Sequence, residues 1–130
     1  MIYDLNLVIQ CADAAGRLHD TPQRRYFCIV DGLISGEGNG PLQPLPRETD
    51  WLVFGDDPFA IDAALSRFMG FLPERIQIID RRPKFAGAEW GDFDLAQLPV
   101  EIDGATIKLA DSTVNFHFAP PPGWRNHIER

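Results

Sequence analysis

The sequence predicts an α/β fold, a compact layered domain in which a mixed, partly parallel sheet is flanked by helices and followed by a C-terminal β-hairpin. Two apolar runs rich in strand-forming residues, 26–30 and 51–54, are typical of buried central strands. A helix-start pattern follows the second run directly. An Asp-Gly pair between two short apolar stretches near the C-terminus is typical of a tight hairpin turn.

The N-terminal half contains one predicted helix, a loop, the first strand and a long connection. Residues 2–15 place apolar side chains at helical spacing, and Gly16 is suited to end that helix. Residues 17–25 are predicted to form a loop before the first strand. The connection over 31–50 holds four glycines and three prolines, so we expect no regular structure there. Loops of that length in small domains are often functional.

The second half begins with the clearest helix signal in the chain. Asp57 is suited to cap the helix, Pro58 fits its first position, and Gly70 fits its end. Residues 73–80 fit either a short helix or a helical turn that leads into a strand. Further predictions are an irregular linker over 81–98, a hairpin over 100–109, a half-buried strand over 114–118 and a peripheral tail over 120–130.

Composition excludes several classes of partner and location. The 130-residue chain carries 19 acidic against 12 basic residues, a net charge of -7. Nucleic acids and anionic membranes are bound by clustered Lys and Arg, so we expect neither as a partner, whereas cations and basic partners fit. No apolar run approaches the roughly 20 residues that span a bilayer, and the N-terminus lacks a secretory pattern. We therefore expect a cytoplasmic protein.

The two cysteines, Cys11 and Cys28, lie in apolar contexts. Such cysteines are usually buried free thiols, and a pair is too few for a zinc or iron-sulfur site. We expect no iron-sulfur cluster in this chain. The three histidines are dispersed without metal-ligand spacing.

Four acids are the candidate metal ligands: Asp31, Glu37, Asp57 and Asp62. If the two strands lie parallel, their carboxyl ends meet at one edge of the sheet, and the first three acids meet there. Asp62 sits on the following helix and leans toward its first turn. Clustered carboxylates suit a divalent metal, a substrate amine or acid-base chemistry. Each acid also has a purely structural alternative, as a helix cap or a turn residue.

The glycine-rich stretch extends the predicted ligand-binding set to Gly36, Gly38, Asn39 and Gly40. Glycines let backbone N–H groups approach a ligand, as in phosphate-binding loops. The stretch lacks the Lys-Ser or Lys-Thr ending of a P-loop, and turn geometry with positive φ is the alternative explanation.

Three segments together resemble the family catalogued as domain of unknown function 362. They are DLN at 4–6, RRYFCIVDGLISGEGNGPL at 24–42 and FGDDPFAIDAALSRFMGF at 54–71. The resemblance covers about the first 80 residues and implies a family-like α/β core there, with residues 81–130 adding the linker, hairpin and tail to one domain. Family members are usually longer and some carry ferredoxin-like cysteine clusters, so the resemblance implies either the C-terminal part of a longer member or a reduced version of one.

Two function classes follow. In the first, the chain is an α/β domain whose carboxylate and glycine-rich strand-end pocket binds a divalent cation or a small polar ligand. In the second, it is a non-catalytic module that packs against a missing N-terminal region or another subunit. The two differ in geometry, since the first requires the acids to converge on a cavity and the second leaves them dispersed or bonded to local backbone.

Overall fold

The fold combines helices with two antiparallel hairpins. The computed structural model describes residues 2–81 and 91–130. The elements are helix α1 (Ile2–Cys11), strands β1 (Cys28–Asn39) and β2 (Gln43–Gly55), helix α2 (Pro58–Met69), the short helix α3 (Gln77–Asp80), and strands β3 (Pro99–Ile102) and β4 (Ala105–Lys108). Single 3-10 turns form at Pro73–Arg75, Leu109–Asp111 and Pro122–Trp124.

Strands β1 and β2 form one long antiparallel ribbon, in which Val30 faces Val53 and Asn39 faces Gln43. The predicted parallel pairing of these strands is therefore wrong, and the described residues form only two-stranded antiparallel sheets. The predicted loop over 31–50 is also wrong, because most of it is strand. The chain reverses over the three residues 40–42, which brings its two halves back alongside each other. Parallel strands would have required a crossover of a dozen or more residues.

Packing and strand position explain why this ribbon tolerates glycine and proline. Gly32 faces Trp51 across the ribbon, and a Cβ atom on Gly32 would lie 1.3 Å from the Trp51 indole nitrogen. The glycine thus makes room for the indole. Pro44 and Pro46 lie in a two-stranded ribbon, where both strands are edge strands and a missing N–H is tolerated.

Helix α2 begins and ends as its local sequence predicts. The Asp57 side chain accepts hydrogen bonds from the backbone N–H groups of Phe59 and Ala60, and Gly70 ends the helix in the left-handed conformation with φ of 95°. The buried face of α2 contributes Ala63, Ala64 and Phe68 to the core. Burial of a side chain of the size of Phe68 contributes roughly 1.5–3 kcal/mol.

The remaining core comes from the C-terminal half, through these buried residues: Phe71, Ile76, Ile79, Leu98, Leu109, Phe118 and Ile128. Residues 73–80 are helical turns, so the helical alternative is confirmed. The tail is not peripheral, because Ile128 is buried and Glu129 bridges to Phe71. Half of the predicted linker, residues 82–90, lies outside the described residues.

Two further predictions differ from the structure. Helix α1 ends at Cys11 rather than near residue 15. The Asp13 carboxylate accepts hydrogen bonds from the N–H groups of Ala15 and Arg17 at 2.9 Å each, and this local alternative competes with the helix. The segment 114–118 is extended but pairs with the end of α2 instead of a strand, since Phe116 and Phe118 donate to the carbonyls of Phe68 and Met69.

The C-terminal hairpin is confirmed. Strands β3 and β4 pair in register, and Asp103 and Gly104 form the turn between them with φ values of 51° and 81°. Positive φ at both central residues is the geometry of the tight turn that Asp-Gly favours. Both cysteines are free thiols, with Cys11 buried and Cys28 partly exposed. None of the helices within 2–81 and 91–130 has both the length and the apolar character needed to cross a membrane.

Candidate functional site

The four predicted acids do not share one strand end. Asp31 and Glu37 lie six residues apart on β1, a separation of roughly 20 Å at about 3.3 Å per residue. Asp57 caps α2, and Asp62 lies within that helix. Convergence at one edge depended on parallel strands, and the antiparallel ribbon separates Asp31 from Glu37 along its length instead.

Glu37 holds the C-terminal segment against the ribbon. One carboxylate oxygen accepts a hydrogen bond from the Ala119 N–H at 2.8 Å, and the other lies 3.7 Å from the Arg47 guanidinium. The same guanidinium donates to the Phe116 carbonyl and lies over the Phe118 ring, 5.6 Å from its centre. Glu37 therefore has a structural role in this arrangement.

Asp57 is bonded through both carboxylate oxygens. Oδ1 accepts from the N–H groups of Phe59 at 2.8 Å and Ala60 at 3.2 Å, and Oδ2 accepts from the Gly91 N–H at 2.9 Å. The first two bonds cap the helix, as the sequence predicts. The third ties the start of α2 to a residue 34 positions further along the chain.

The surroundings of Asp62 perturb its ionisation. It lies on the solvent side of α2, yet surrounding protein atoms remove enough water to raise the pKa of its carboxyl, and repulsion from Asp57 raises it further. Burial also raises the pKa of the Tyr26 hydroxyl, and its interactions with Cys28 and Asp62 raise it further. Asp62 therefore interacts electrostatically with Asp57 and with Tyr26, which precedes β1.

Asp31 and the glycine-rich residues lie in the ribbon. Asp31 is exposed opposite Leu52, and its side chain accepts a hydrogen bond from the Leu33 N–H at 3.1 Å. The predicted ligand-binding residues Gly36, Gly38 and Asn39 are paired strand residues, and Gly40 begins the turn. The Gly38 N–H donates to the Ala119 carbonyl at 2.9 Å. Their part in binding a ligand stays a prediction.

A cavity lies in a cleft between the end of β2, helix α2 and the β3–β4 hairpin. We call it the acidic cleft; its volume is about 610 Å³, which is within the usual range for small-molecule sites. Its walls include the apolar side chains Ile61, Phe68 and Leu98. Its lining also includes four acids, namely Asp56, Asp57, Glu101 and Asp103.

Only Asp57 belongs to both the predicted site and the acidic cleft. Glu101 and Asp103 were missed, although the Asp-Gly signal located the turn that carries Asp103. That turn lies near α2 through a contact between segments far apart in the sequence, and no local sequence pattern predicts such a contact. Among the described residues, no group of three or more His, Cys, Asp and Glu side chains has an arrangement that could hold a metal ion.

The first 67 residues of the chain match the family described as domain of unknown function (DUF362). This protein belongs to the DUF362 family. No curated protein and no solved structure matches the chain. The family match ends within α2, so it includes Asp56 and Asp57 but not Glu101 and Asp103. The acidic cleft of this DUF362 protein thus combines the matched part of the chain with the hairpin that follows it.

Proposed function

We propose that this DUF362 protein is a ligand-binding domain and that its acidic cleft binds a small organic cation, such as an amine with an apolar body. The observation that carries the proposal is the composition of the lining: four carboxylates and mostly apolar side chains, without a cationic side chain among the described lining residues. The proposal refines the expected cation or small polar ligand and moves its site from the strand end to the cleft.

The apolar side chains and the carboxylates of the lining suit different parts of such a ligand. The apolar wall, with Ile61, Phe68 and Leu98, favours a ligand that removes apolar surface from water. The acids Glu101 and Asp103 are exposed on the hairpin, so they attract a cation without the desolvation cost of a buried charge. The net charge of -7 adds a long-range attraction for cations at low ionic strength.

The test compares two ligands that share an alkyl body and carry head groups of opposite charge. Calorimetric titrations would use a straight-chain alkylammonium ion and the alkanoate of equal length, with Mg²⁺ and Ca²⁺ as separate arms. We expect the ammonium ion to bind and the alkanoate to bind at least roughly tenfold more weakly. Tighter binding of either metal ion than of the ammonium ion would replace the proposal with a metal site.

A pair of matched variants locates the binding. Glu101→Gln together with Asp103→Asn removes two cleft charges, and Asn tolerates the positive φ at position 103. We expect roughly tenfold weaker ammonium binding. The control, Asp80→Asn with Asp111→Asn, removes two exposed acids that do not line the cleft. Equal weakening in the two double variants would mean that net charge alone attracts the ligand, and the proposal would fail.

A further inference from the structure

The outer face of the β1–β2 ribbon exposes large apolar side chains that a folded protein usually covers. Ile29 pairs with Phe54, Asp31 with Leu52 and Ile34 with Glu48, and directly opposite residues point to the same side of a ribbon. The face also includes Phe27, whose ring lies 6.3 Å from that of Phe54. We define the outer face by these seven residues: Phe27, Ile29, Asp31, Ile34, Glu48, Leu52 and Phe54.

The other side of the same ribbon faces the protein. There Trp51 packs against Phe68, Phe116 and Phe118. The five apolar residues of the outer face are instead between 59 and 70 % exposed. Because one side of the ribbon is packed and the other is not, the exposed side is available for a contact with another molecule.

We propose that the outer face docks a protein partner that presents apolar side chains flanked by Lys or Arg. The exposed parts of the five apolar residues amount to on the order of 600 Å², at the upper end of the largest patches on typical monomers. A standard protein interface takes about 800 Å² from each partner. The apolar surface therefore supplies most of the area that a specific contact uses.

Charge complementarity selects a basic partner. Asp31 and Glu48 lie among the apolar side chains, and none of the seven residues of the outer face is cationic. The nearby Arg47 points to the other side of the ribbon, toward Glu37. A second copy of this chain would place acidic faces against each other, each on a chain of net charge -7. A Lys or Arg on the partner would instead pair with Asp31 and Glu48.

The experiment measures the binding of two labelled peptides to the full chain. One peptide alternates Leu with Lys and the other alternates Leu with Glu. Fluorescence anisotropy would measure binding at several salt concentrations. We expect the Lys peptide to bind, with an affinity that falls as salt rises, and the Glu peptide to bind at least roughly tenfold more weakly. Equal binding of the two peptides, or no binding of either, would overturn the proposal.

Variants separate docking on this face from attraction to an acidic protein in general. Ile29→Thr with Ile34→Thr keeps the β-branched side chains and lies outside the acidic cleft, whereas Leu52 and Phe54 also line that cleft. We expect roughly tenfold weaker binding of the Lys peptide. The control, Leu18→Thr with Leu42→Thr, changes two exposed leucines outside the outer face. Equal weakening by the control would refute docking at this face.

A second pair of substitutions tests the charge. Asp31→Asn with Glu48→Gln should weaken the Lys peptide and flatten its salt dependence, and the introduced amide oxygen at position 31 would still accept from the Leu33 N–H. The Asp80→Asn, Asp111→Asn protein is the matched control. Equal weakening in that control would show that the overall charge, rather than the outer face, attracts the peptide.

Sedimentation of the unmodified chain tests whether a second copy of the chain, rather than a basic partner, occupies the outer face. A dimer that Ile29→Thr with Ile34→Thr dissociates would identify a second copy and overturn the basic partner. Alkylammonium binding should be unchanged in the same double variant, because neither isoleucine lines the acidic cleft. This proposal and the proposed cleft function therefore fail separately.

Discussion

The three hydrogen bonds of Asp57 allow a graded prediction about stability. Asp57→Ala removes the helix cap on Phe59 and Ala60, which costs about 1 kcal/mol. It also removes the charged acceptor of the Gly91 N–H, which costs about 1.5–3 kcal/mol. Lower repulsion on Asp62 offsets a part of this loss. We therefore expect the free energy of unfolding to fall by roughly 2–4 kcal/mol.

Asp57→Asn separates the two contributions. Asn keeps the Oδ1 atom that caps the helix, and it is among the best capping residues, but its NH₂ group cannot accept the Gly91 N–H. We expect a loss smaller than that of Asp57→Ala by about 1 kcal/mol, the contribution of the cap. Thermal and urea unfolding would measure both, and a loss of about 1 kcal/mol lowers Tm by roughly 2–8 °C in domains of this size class.

The control for this series is Asp56→Asn. Asp56 is the adjacent acid and is exposed, so its substitution changes the charge by the same amount without removing the cap or the Gly91 bond. We expect little change in its stability. The reasoning would be refuted if Asp57→Asn cost as much as Asp57→Ala, or if Asp56→Asn cost as much as Asp57→Asn.

Two further predictions concern the ribbon and the pH dependence. Gly32→Ala should lower the free energy of unfolding by about 1–3 kcal/mol or more in urea titrations, because its Cβ atom would displace the Trp51 indole. In the control, Gly123→Ala, the added Cβ atom meets no atom within 4 Å, so we expect almost no change in stability. Similar losses of stability in the two variants would contradict this packing. Asp62→Asn should raise Tm at neutral pH. Because the pKa of Asp62 is raised, the native state binds a proton at this carboxyl more tightly than the unfolded chain does. The stability of the unsubstituted protein therefore falls as pH rises from the ordinary pKa of 3.8 through the native pKa. That gain should vanish below about pH 3.8, and a gain of equal size at low and neutral pH would exclude the mechanism.

The sequence predictions were most accurate for features that are formed by residues close together in the sequence. The cap at Asp57, the helix end at Gly70 and the Asp103–Gly104 turn were each predictable, because the bonds or dihedral angles that form them involve neighbouring residues. The end of α1 was missed by a few residues, since the Asp13 carboxylate competes for the backbone there. The family resemblance was confirmed over residues 1–67.

The ribbon was missed because glycine and proline have different meanings in a loop and in an edge strand. Locally, the composition of 31–50 indicates a loop. In the structure, the missing side chain of Gly32 accommodates Trp51, and the ribbon tolerates Pro44 and Pro46. The decisive contacts join residues that lie far apart in sequence, such as Arg47 with the Phe116 carbonyl.

The sequence by itself determined the family, the second helix with its cap, the C-terminal hairpin turn and the acidic charge that favours cationic ligands or partners. Only the tertiary structure decided that β1 and β2 run antiparallel, which separates Asp31 from Glu37, and that Glu101 and Asp103 join Asp57 around a cleft. The physical reason is that caps and turns are stabilised by neighbouring residues, whereas strand direction and cavity lining depend on packing between distant segments, whose free energy no local pattern contains.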